Sequence, residues 1–505
     1  MTLVAESQGY LSPEKAAQLK EQVSRTQAEL DGMRIRNPDW GAEIDAAIEA
    51  FNRSELAEAK AAFARIDQLI ARRRADMSAE VQNLRREEAR SKHAQATLFY
   101  PFEASKSEPL LTEAAELAET NFWYWIECGR ARVAIGNLAT ALAAFVQAQD
   151  LARLAGAERD ISVAHHEIGF VLGAQGNLTG ALENYERYLV IAREAVARGP
   201  ENAGWARDVS VGLNKVGDVR RAQGDLAGAL EVYEESLATA RDLAARDPGN
   251  AGWARDVLVS LSRIGDVRRA QGDLAEALEV YEESLGIRRD LVARDPQHAG
   301  WARDVSLGLN KVGDVLVDQG DLAGALEVYE ESLGIRRDLA AQDPENAEWA
   351  RDVSVSLERV GDMRMAQGDL AGALAAYEES LKIRCDLAAQ DPENAVWARD
   401  VSLSLERIGN VRLDQGDPTG ALEDYEESLA IRRDLAEQDP ENAVWARDLV
   451  ISFAKLGFAD EASAAAHWAA AVRQLEDMEA RGILFPVDAW MLEDARGRLA
   501  AARAE

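Results

Sequence analysis

The chain has 505 residues, of which 47% are hydrophobic and 29% charged, a balance typical of a folded protein and not of a disordered one. Its formal net charge of −32 argues against binding to nucleic acid or to an anionic membrane surface, since both would repel it. Two cysteines are too few for a disulfide framework or a four-thiolate zinc site, and no apolar run is long enough to cross a bilayer. We therefore expect a cytoplasmic protein that binds neither nucleic acid nor membrane.

Residues 1–120 are predicted to form irregular helices. Ser12-Pro13 favours the start of a helix, and Asn37-Pro38 favours its end. Further on, five apolar residues keep a seven-residue spacing, which fits either a dimerising coiled coil or one long helix that lies against the rest of the chain. Because the companion positions turn polar after two heptads, we predict the long helix and a monomeric chain. The five residues are Leu56, Phe63, Ile70, Met77 and Leu84.

A tryptophan then recurs every 48 residues and opens the same tetrapeptide, Trp-Ala-Arg-Asp, each time. After the first five of them come, in the same order, a Gly-Asp or Gly-Asn step, Gln-Gly-Asp, Tyr-Glu-Glu-Ser-Leu and Asp-Pro. A fixed period of this length indicates a solenoid of stacked supersecondary units. The six tryptophans are Trp205, Trp253, Trp301, Trp349, Trp397 and Trp445.

Each repeat is predicted to contain two antiparallel helices. An apolar stripe at helical spacing begins at Trp205, the Gln-Gly-Asp step ends that helix, and a second stripe covers residues 226–243. Asp247 is predicted to cap the next helix, with Pro248 in its first turn. The stripe places the tryptophan between helices and not in an aromatic cage. No alternating strand pattern is present, so the sequence predicts an all-α protein.

The spacing of these residues resembles the tetratricopeptide repeat (TPR), a 34-residue helix-turn-helix unit. The resemblance implies a right-handed TPR-type α-solenoid, here over residues 121–457. The extra 14 residues add about two turns to each helix without rotating its buried face. Long repeats of this kind look more loosely like those of kinesin light chains and bacterial signalling proteins. The matching residues in one repeat are Leu213, Val216, Gly217, Ala229, Tyr233 and Ser236.

Residues 458–505 are predicted to end the array. A degenerate last repeat lacks the Gln-Gly-Asp turn, and a capping helix follows Pro486 with Trp490 placed on the last groove. Such a cap is expected because a solenoid must cover its terminal apolar faces.

The sequence predicts no catalytic, cofactor or metal site. It has no phosphate-binding glycine loop and no nucleophile with a recognisable base. The adjacent His165 and His166 point about 100° apart on a helix and so do not share a metal. Cys128 fits a core position, and Cys385 stands where two other repeats carry arginine.

The resemblance implies that the first helix of each repeat lines a concave groove that holds a partner. Projected onto this chain, the groove carries Arg207 and three columns of residues that recur at the repeat period. One column is acidic, one is polar, and one changes from basic to apolar along the chain; the apolar members either contact a partner or pack under the next helix. The columns are Asp218, Asp266, Asp314, Asp362 and Asn410; Asn214, Asn310, Glu358 and Glu406; and Arg221, Arg269, Val317, Met365 and Leu413.

The sequence therefore favours a non-enzymatic protein–protein interaction scaffold. Its groove is predicted to bind a peptide or protein segment with basic and apolar side chains, steered by the negative charge. One alternative is the sensor or regulatory subunit of a bacterial effector or defence-type signalling system that acts with a separate effector chain. Another is a self-assembling structural repeat protein. The Trp-Ala-Arg-Asp arginines are predicted to form ion pairs between neighbouring repeats more readily than to bind a ligand directly.

Overall fold

The computed structural model describes residues 13–53, 56–74, 81–99 and 103–504, and no strand occurs among them. The chain forms two compact units, Met1–Ile287 with His298–Gly300 and Arg288–Gln297 with Trp301–Glu505. This division falls inside the predicted repeat region, and the predicted boundaries at residues 120/121 and 457/458 stay predictions. The prediction of an all-α solenoid fold is confirmed, because consecutive helices pack against each other within each unit.

The helices before the periodic repeats are α1 (Pro13–Arg36), α2 (Gly41–Arg53), α3 (Leu56–Arg74), α4 (Val81–Thr97) and α5 (Ala104–Leu117). The first helix of each repeat, here called the A helix, is α6 (Phe122–Ala134), α8 (Glu158–Ala174), α10 (Ala203–Ala222), α12 (Ala251–Gln271), α14 (Ala299–Gln319), α16 (Ala347–Ala366), α18 (Ala395–Asp414) or α20 (Ala443–Ala459). The second, the B helix, is α7 (Leu138–Ala155), α9 (Leu178–Arg198), α11 (Leu226–Arg246), α13 (Leu274–Arg294), α15 (Leu322–Gln342), α17 (Leu370–Gln390), α19 (Pro418–Gln438) or α21 (Ala464–Arg481). The last helix is α22 (Trp490–Ala502).

A glycine in each A helix lets the aromatic ring of its B helix lie against the backbone. A Cβ atom added to Gly217 would lie 2.4 Å from Cε1 of Tyr233, far inside contact distance. Glycine inside a helix costs about 1 kcal/mol relative to alanine, so the close approach is the physical reason for its presence. The same pairing recurs at Gly129 with Phe145.

The turns and caps of the repeat differ from the prediction at one point. In the Gln-Gly-Asp turn, Gly224 adopts φ +85°, which suits a residue without Cβ, and the next aspartate caps α11. Asp247, however, follows the end of α11 and accepts a hydrogen bond from the Gly249 amide at 3.2 Å. The cap of α12 is Asn250, whose side chain accepts from the Trp253 amide at 3.3 Å. The predicted Asp247 cap is therefore wrong by three residues.

The N-terminal prediction of one long helix through the heptad stripe is also wrong. Helices α3 and α4 are separate and pack against each other, while Met77 lies in 75–80, outside the described residues. The long helix that lies against the array is α1, which packs on α4.

The C-terminal helix α22 packs on α21 as a predicted cap, but its covering residues differ. Trp490 is 64% exposed, whereas Leu492 and Ala495 are buried in the last core cluster. Trp490 is the first residue of the helix, two positions before Leu492, so it lies on the opposite face from that residue. No helix of the described ranges combines the length and the apolarity needed to pass through a bilayer.

Candidate partner-binding face

The first unit contains a cavity of about 900 Å³ along its A helices. Helices α6, α8, α10 and α12 border the cavity, and α1 closes one side of it. A column of half-buried valines at the repeat period lies along the wall, together with two indole rings. Sequence reasoning missed this column, although its spacing was the available signal. The apolar residues are Val163, Val211, Val259, Trp123 and Trp253.

Two polar side chains in this wall lack part of their hydrogen bonding. Ser162 is 1% exposed, and its Oγ has no partner among the described residues. Asn214 donates from Nδ2 to Ser260 Oγ at 3.2 Å, but its Oδ1 is buried without a partner in the described structure. A buried polar atom without a partner is costly, so these two positions of the wall are incompletely satisfied.

Two ladders of ion pairs connect successive repeats within the units. Arg207 of one A helix pairs with Asp256 of the next, its Nε 2.6 Å from Oδ2, which confirms the predicted ion pairs. On the B helices Arg337 pairs with Glu379 at 2.6 Å, and Cys385 interrupts this second ladder. The same contacts recur at Arg159–Asp208, Arg303–Asp352, Arg351–Asp400 and Arg399–Asp448, and at Arg193–Glu235, Arg241–Glu283 and Arg289–Glu331.

The residues of the predicted acidic column are half-buried and hydrogen-bonded to neighbouring side chains, so the column is less open to a partner than the sequence predicted. Asp218 accepts hydrogen bonds from the Tyr233 hydroxyl at 2.8 Å and from Nε and Nη2 of Arg263 at 2.7 and 2.9 Å. Although burial opposes its charged form, Arg263 holds the pKa of Asp218 below its ordinary value. Corresponding contacts tie Asp266 to Tyr281, Asp314 to Tyr329 and Arg359, Asp362 to Tyr377 and Arg407, and Asn410 to Tyr425 and Lys455.

The polar column is likewise turned inward. Glu358 is 7% exposed and accepts two hydrogen bonds from Arg384, which is 3% exposed, at 2.5 and 2.9 Å. Asn214 and Asn310 are buried as well, and Glu406 is half-buried with Oε2 2.7 Å from Nη2 of Arg432, an arginine of the next B helix.

The third column is divided between the two roles predicted for it. Arg221 and Leu413 are exposed, and Arg269 is half-buried. Val317 and Met365 are half-buried and pack against core clusters. Met365 also borders a depression of about 370 Å³ in the second unit. The depression is further lined by Asp362, Leu403, Glu406, Arg407, Tyr377 and Asn410, so four of the predicted residues, counting Met365, meet there.

A buried network of charged groups fixes α1, and nothing in the repeat pattern predicted it. Glu127 of α6 accepts from Arg25 of α1 at 2.9 Å and contacts Nε2 of His93. Nδ1 of His93 lies 3.3 Å from Glu29 of α1. Although burial disfavours the imidazolium, the two carboxylates raise the pKa of His93 to about 10.

The repeat tryptophans are less buried than predicted. Trp349 is 7% exposed, whereas the other five repeat tryptophans are half-buried.

The prediction that His165 and His166 do not share a metal stays untested. His165 hydrogen-bonds Asn184 at 2.8 Å, and burial lowers the pKa of His165. Within the described ranges no three histidine, cysteine or carboxylate side chains are grouped as metal ligands.

The profile of the tetratricopeptide repeat family matches residues 208–290, 308–344 and 401–441. These parts of the chain are tetratricopeptide repeats. Repeats of this family typically serve as non-enzymatic scaffolds that bind other proteins. No curated protein matches the sequence.

Three solved structures are similar to this chain in fold. BtubC from P. vanneervenii shares 20% identity over 51% of this chain and 92% of its own, with a TM-score of 0.41. Apo RapI shares 12% identity over 79% and 98%, with a TM-score of 0.45. A signal transduction ATPase with a TPR sensor from Pyrococcus horikoshii shares 12% over 73% and 52%, with a TM-score of 0.46.

Proposed function

We propose that this TPR protein is a non-enzymatic scaffold that binds a peptide or protein segment along the A helices. The cavity of the first unit is the observation that carries the proposal. It offers apolar contact through the valine column, and the polar residues Ser162 and Asn214 also line it. A segment bound there would bury apolar surface, which stabilises a complex by about 25 cal/mol per Å².

The charge that a partner should carry is inferred from the lining of each site, because most of the acidic column is already paired within the protein. Basic side chains outnumber acidic ones in the wall of the cavity, and most of both are paired across repeats. The half-exposed carboxylate of Asp362 beside Met365 and Leu403 is the surface that suits a basic and apolar side chain. Each site is therefore assigned its own ligand chemistry: the depression of the second unit suits a basic and apolar side chain, and the cavity of the first unit suits a more neutral, apolar segment.

Substitutions in the valine column test the assignment. Val211→Glu and Val259→Glu place a carboxylate in the cavity wall at half-buried positions, where the helix itself tolerates the change. Ala238→Glu, on the exposed side of α11, is the matched control. In affinity capture from the native cell, each valine variant should recover at least tenfold less partner than the wild type or the control recovers. Equal recovery by all four proteins would refute the proposal.

A salt series distinguishes long-range steering from contact. Association of a cationic partner should slow as ionic strength rises, because the net charge of −32 is screened beyond about 10 Å at 0.1 M salt. The cytoplasmic location, the regulatory-subunit alternative and self-assembly remain predictions of the sequence.

A further inference from the structure

Three arginines of the second unit lie buried on B helices at the same position of successive repeats. Arg336, Arg384 and Arg432 are 3%, 3% and 1% exposed. Two of them meet a carboxylate of their own repeat, namely Glu358 for Arg384 and Glu406 for Arg432. In the repeat of the third, Arg336, the position that corresponds to these glutamates is Asn310, and asparagine supplies no charge.

The contacts of Arg336 leave its charge uncompensated by any ion pair with the described residues. Its Nε donates to Ser306 Oγ at 3.1 Å, and its Nη1 donates to the Asp352 carbonyl at 2.8 Å. The Asp352 carboxylate pairs with Arg303 at 2.7 Å. Burial lowers the pKa of Arg336; the Asp352 carboxylate opposes this shift, and Arg303 and Arg359 add to it. A buried charge without a counter-ion destabilises a fold by several kcal/mol.

The site around Arg384, one repeat later, is completed by polar side chains whose counterparts in the repeat of Arg336 have unpartnered atoms among the described residues. At that later site Ser404 Oγ lies 2.9 Å from Nη1 of Arg384 and 3.3 Å from Oε1 of Glu358. Ser356 and Asn310 occupy the two corresponding positions beside Arg336. Ser356 Oγ and Asn310 Oδ1 are buried, and neither has a hydrogen-bond partner in the described structure.

We propose that a small monovalent anion of the chloride class binds between Arg336, Asn310 and Ser356, where the next two repeats place a glutamate carboxylate. The guanidinium Nη2 and the serine hydroxyl are donors, and a rotated Asn310 amide presents its NH₂ group. Asparagine is one methylene shorter than glutamate, so the position of the missing carboxylate is where the anion lies. This site is independent of the proposed partner-binding face.

A reciprocal exchange of residues tests the site in the full-length protein. Sodium chloride is titrated against sodium isethionate at constant ionic strength, and the melting temperature is measured. The wild type should melt at a higher temperature as chloride replaces isethionate, because a ligand of the native state stabilises it by mass action. N310E should melt higher than the wild type without chloride and should not respond to it. E358N, which recreates the arrangement at Arg384, should show a larger response than the wild type.

Asn214→Glu serves as the matched control, because Ala240 stands where Arg336 stands in its repeat. N214E should be destabilised and should keep the chloride response of the wild type. Crystals grown with sodium bromide locate the anion, with an anomalous peak expected within hydrogen-bonding distance of Arg336 and absent in N310E. A chloride response that survives in N310E, a wild type without any response, or a wild-type crystal without that peak would each overturn the proposal.

Discussion

The buried pair Glu358–Arg384 allows the contribution of one internal charge to be measured. Glu358→Gln keeps the shape of the side chain and removes its charge. In the native protein that carboxylate receives two hydrogen bonds from Arg384, one from Arg407 at 3.2 Å and one from Ser404 at 3.3 Å. The amide of glutamine retains one acceptor oxygen and places an NH₂ group against donors.

The expected loss is about 3 kcal/mol, the lower end of the range of about 3–5 kcal/mol for breaking a buried ion pair, because one acceptor survives. For a unit of this size about 2–4 °C of melting temperature is lost per kcal/mol, so the midpoint should fall by about 6–12 °C. The double variant E358Q/R384M removes the stranded guanidinium, and it should recover most of that loss.

Urea unfolding followed by tryptophan fluorescence measures both variants, with circular dichroism confirming that the helical content is unchanged. A loss below about 0.5 kcal/mol for E358Q, the size of an ordinary surface effect, would refute the reasoning. So would a double variant that is less stable than the single one.

Three further outcomes follow from the described contacts. Gly217→Ala should lower the free energy of unfolding by about 1–3 kcal/mol, as overpacking against Tyr233 outweighs the gain in helix propensity; a more stable variant by urea titration would contradict the packing account. His93, with its pKa raised to about 10, should contribute stability that is complete below pH 6.5 and lost as pH rises through 10, so amide exchange in α1 should accelerate over that window, after correction for its intrinsic pH dependence. Cys385→Arg should restore the exposed ion pair to Glu427 and raise stability by a few tenths of a kcal/mol, and a salt-insensitive effect would argue against an ion pair.

The repeat architecture could be predicted because each recurring residue has one local physical role. Trp205 lies in the A helix, Gly217 of the same helix allows the B helix to approach closely, and the ring of Tyr233 fills that space. These contacts lie within one repeat. Helix boundaries and the helix-pair packing follow from such short-range patterns. The predicted Asp247 cap was wrong because two acceptors of similar type, Asp247 and Asn250, lie within four residues of the helix start, and their residue types do not rank one above the other.

The candidate partner-binding face was less predictable because its side chains are paired with residues about 45 positions away in the sequence. Asp218 looks like an open carboxylate until Arg263 of the next repeat is placed across from it. Likewise Asn310 and Glu358 appear to be equivalent groove residues in the sequence. Both are buried in the structure, and Glu358 is hydrogen-bonded to Arg384 of a B helix. The network around His93 joins three helices whose sequences are irregular, so no period could reveal it.

Cross-linking mass spectrometry of the captured complex tests the location of the partner most directly. Lys215 lies in the wall of the first unit's cavity, whereas Lys382 is exposed on a B helix of the second unit. With an amine-reactive cross-linker, the account predicts partner peptides joined to Lys215 and none joined to Lys382. Cross-links that concentrate at Lys382 and spare Lys215 would contradict it, since the partner would then occupy the B helices.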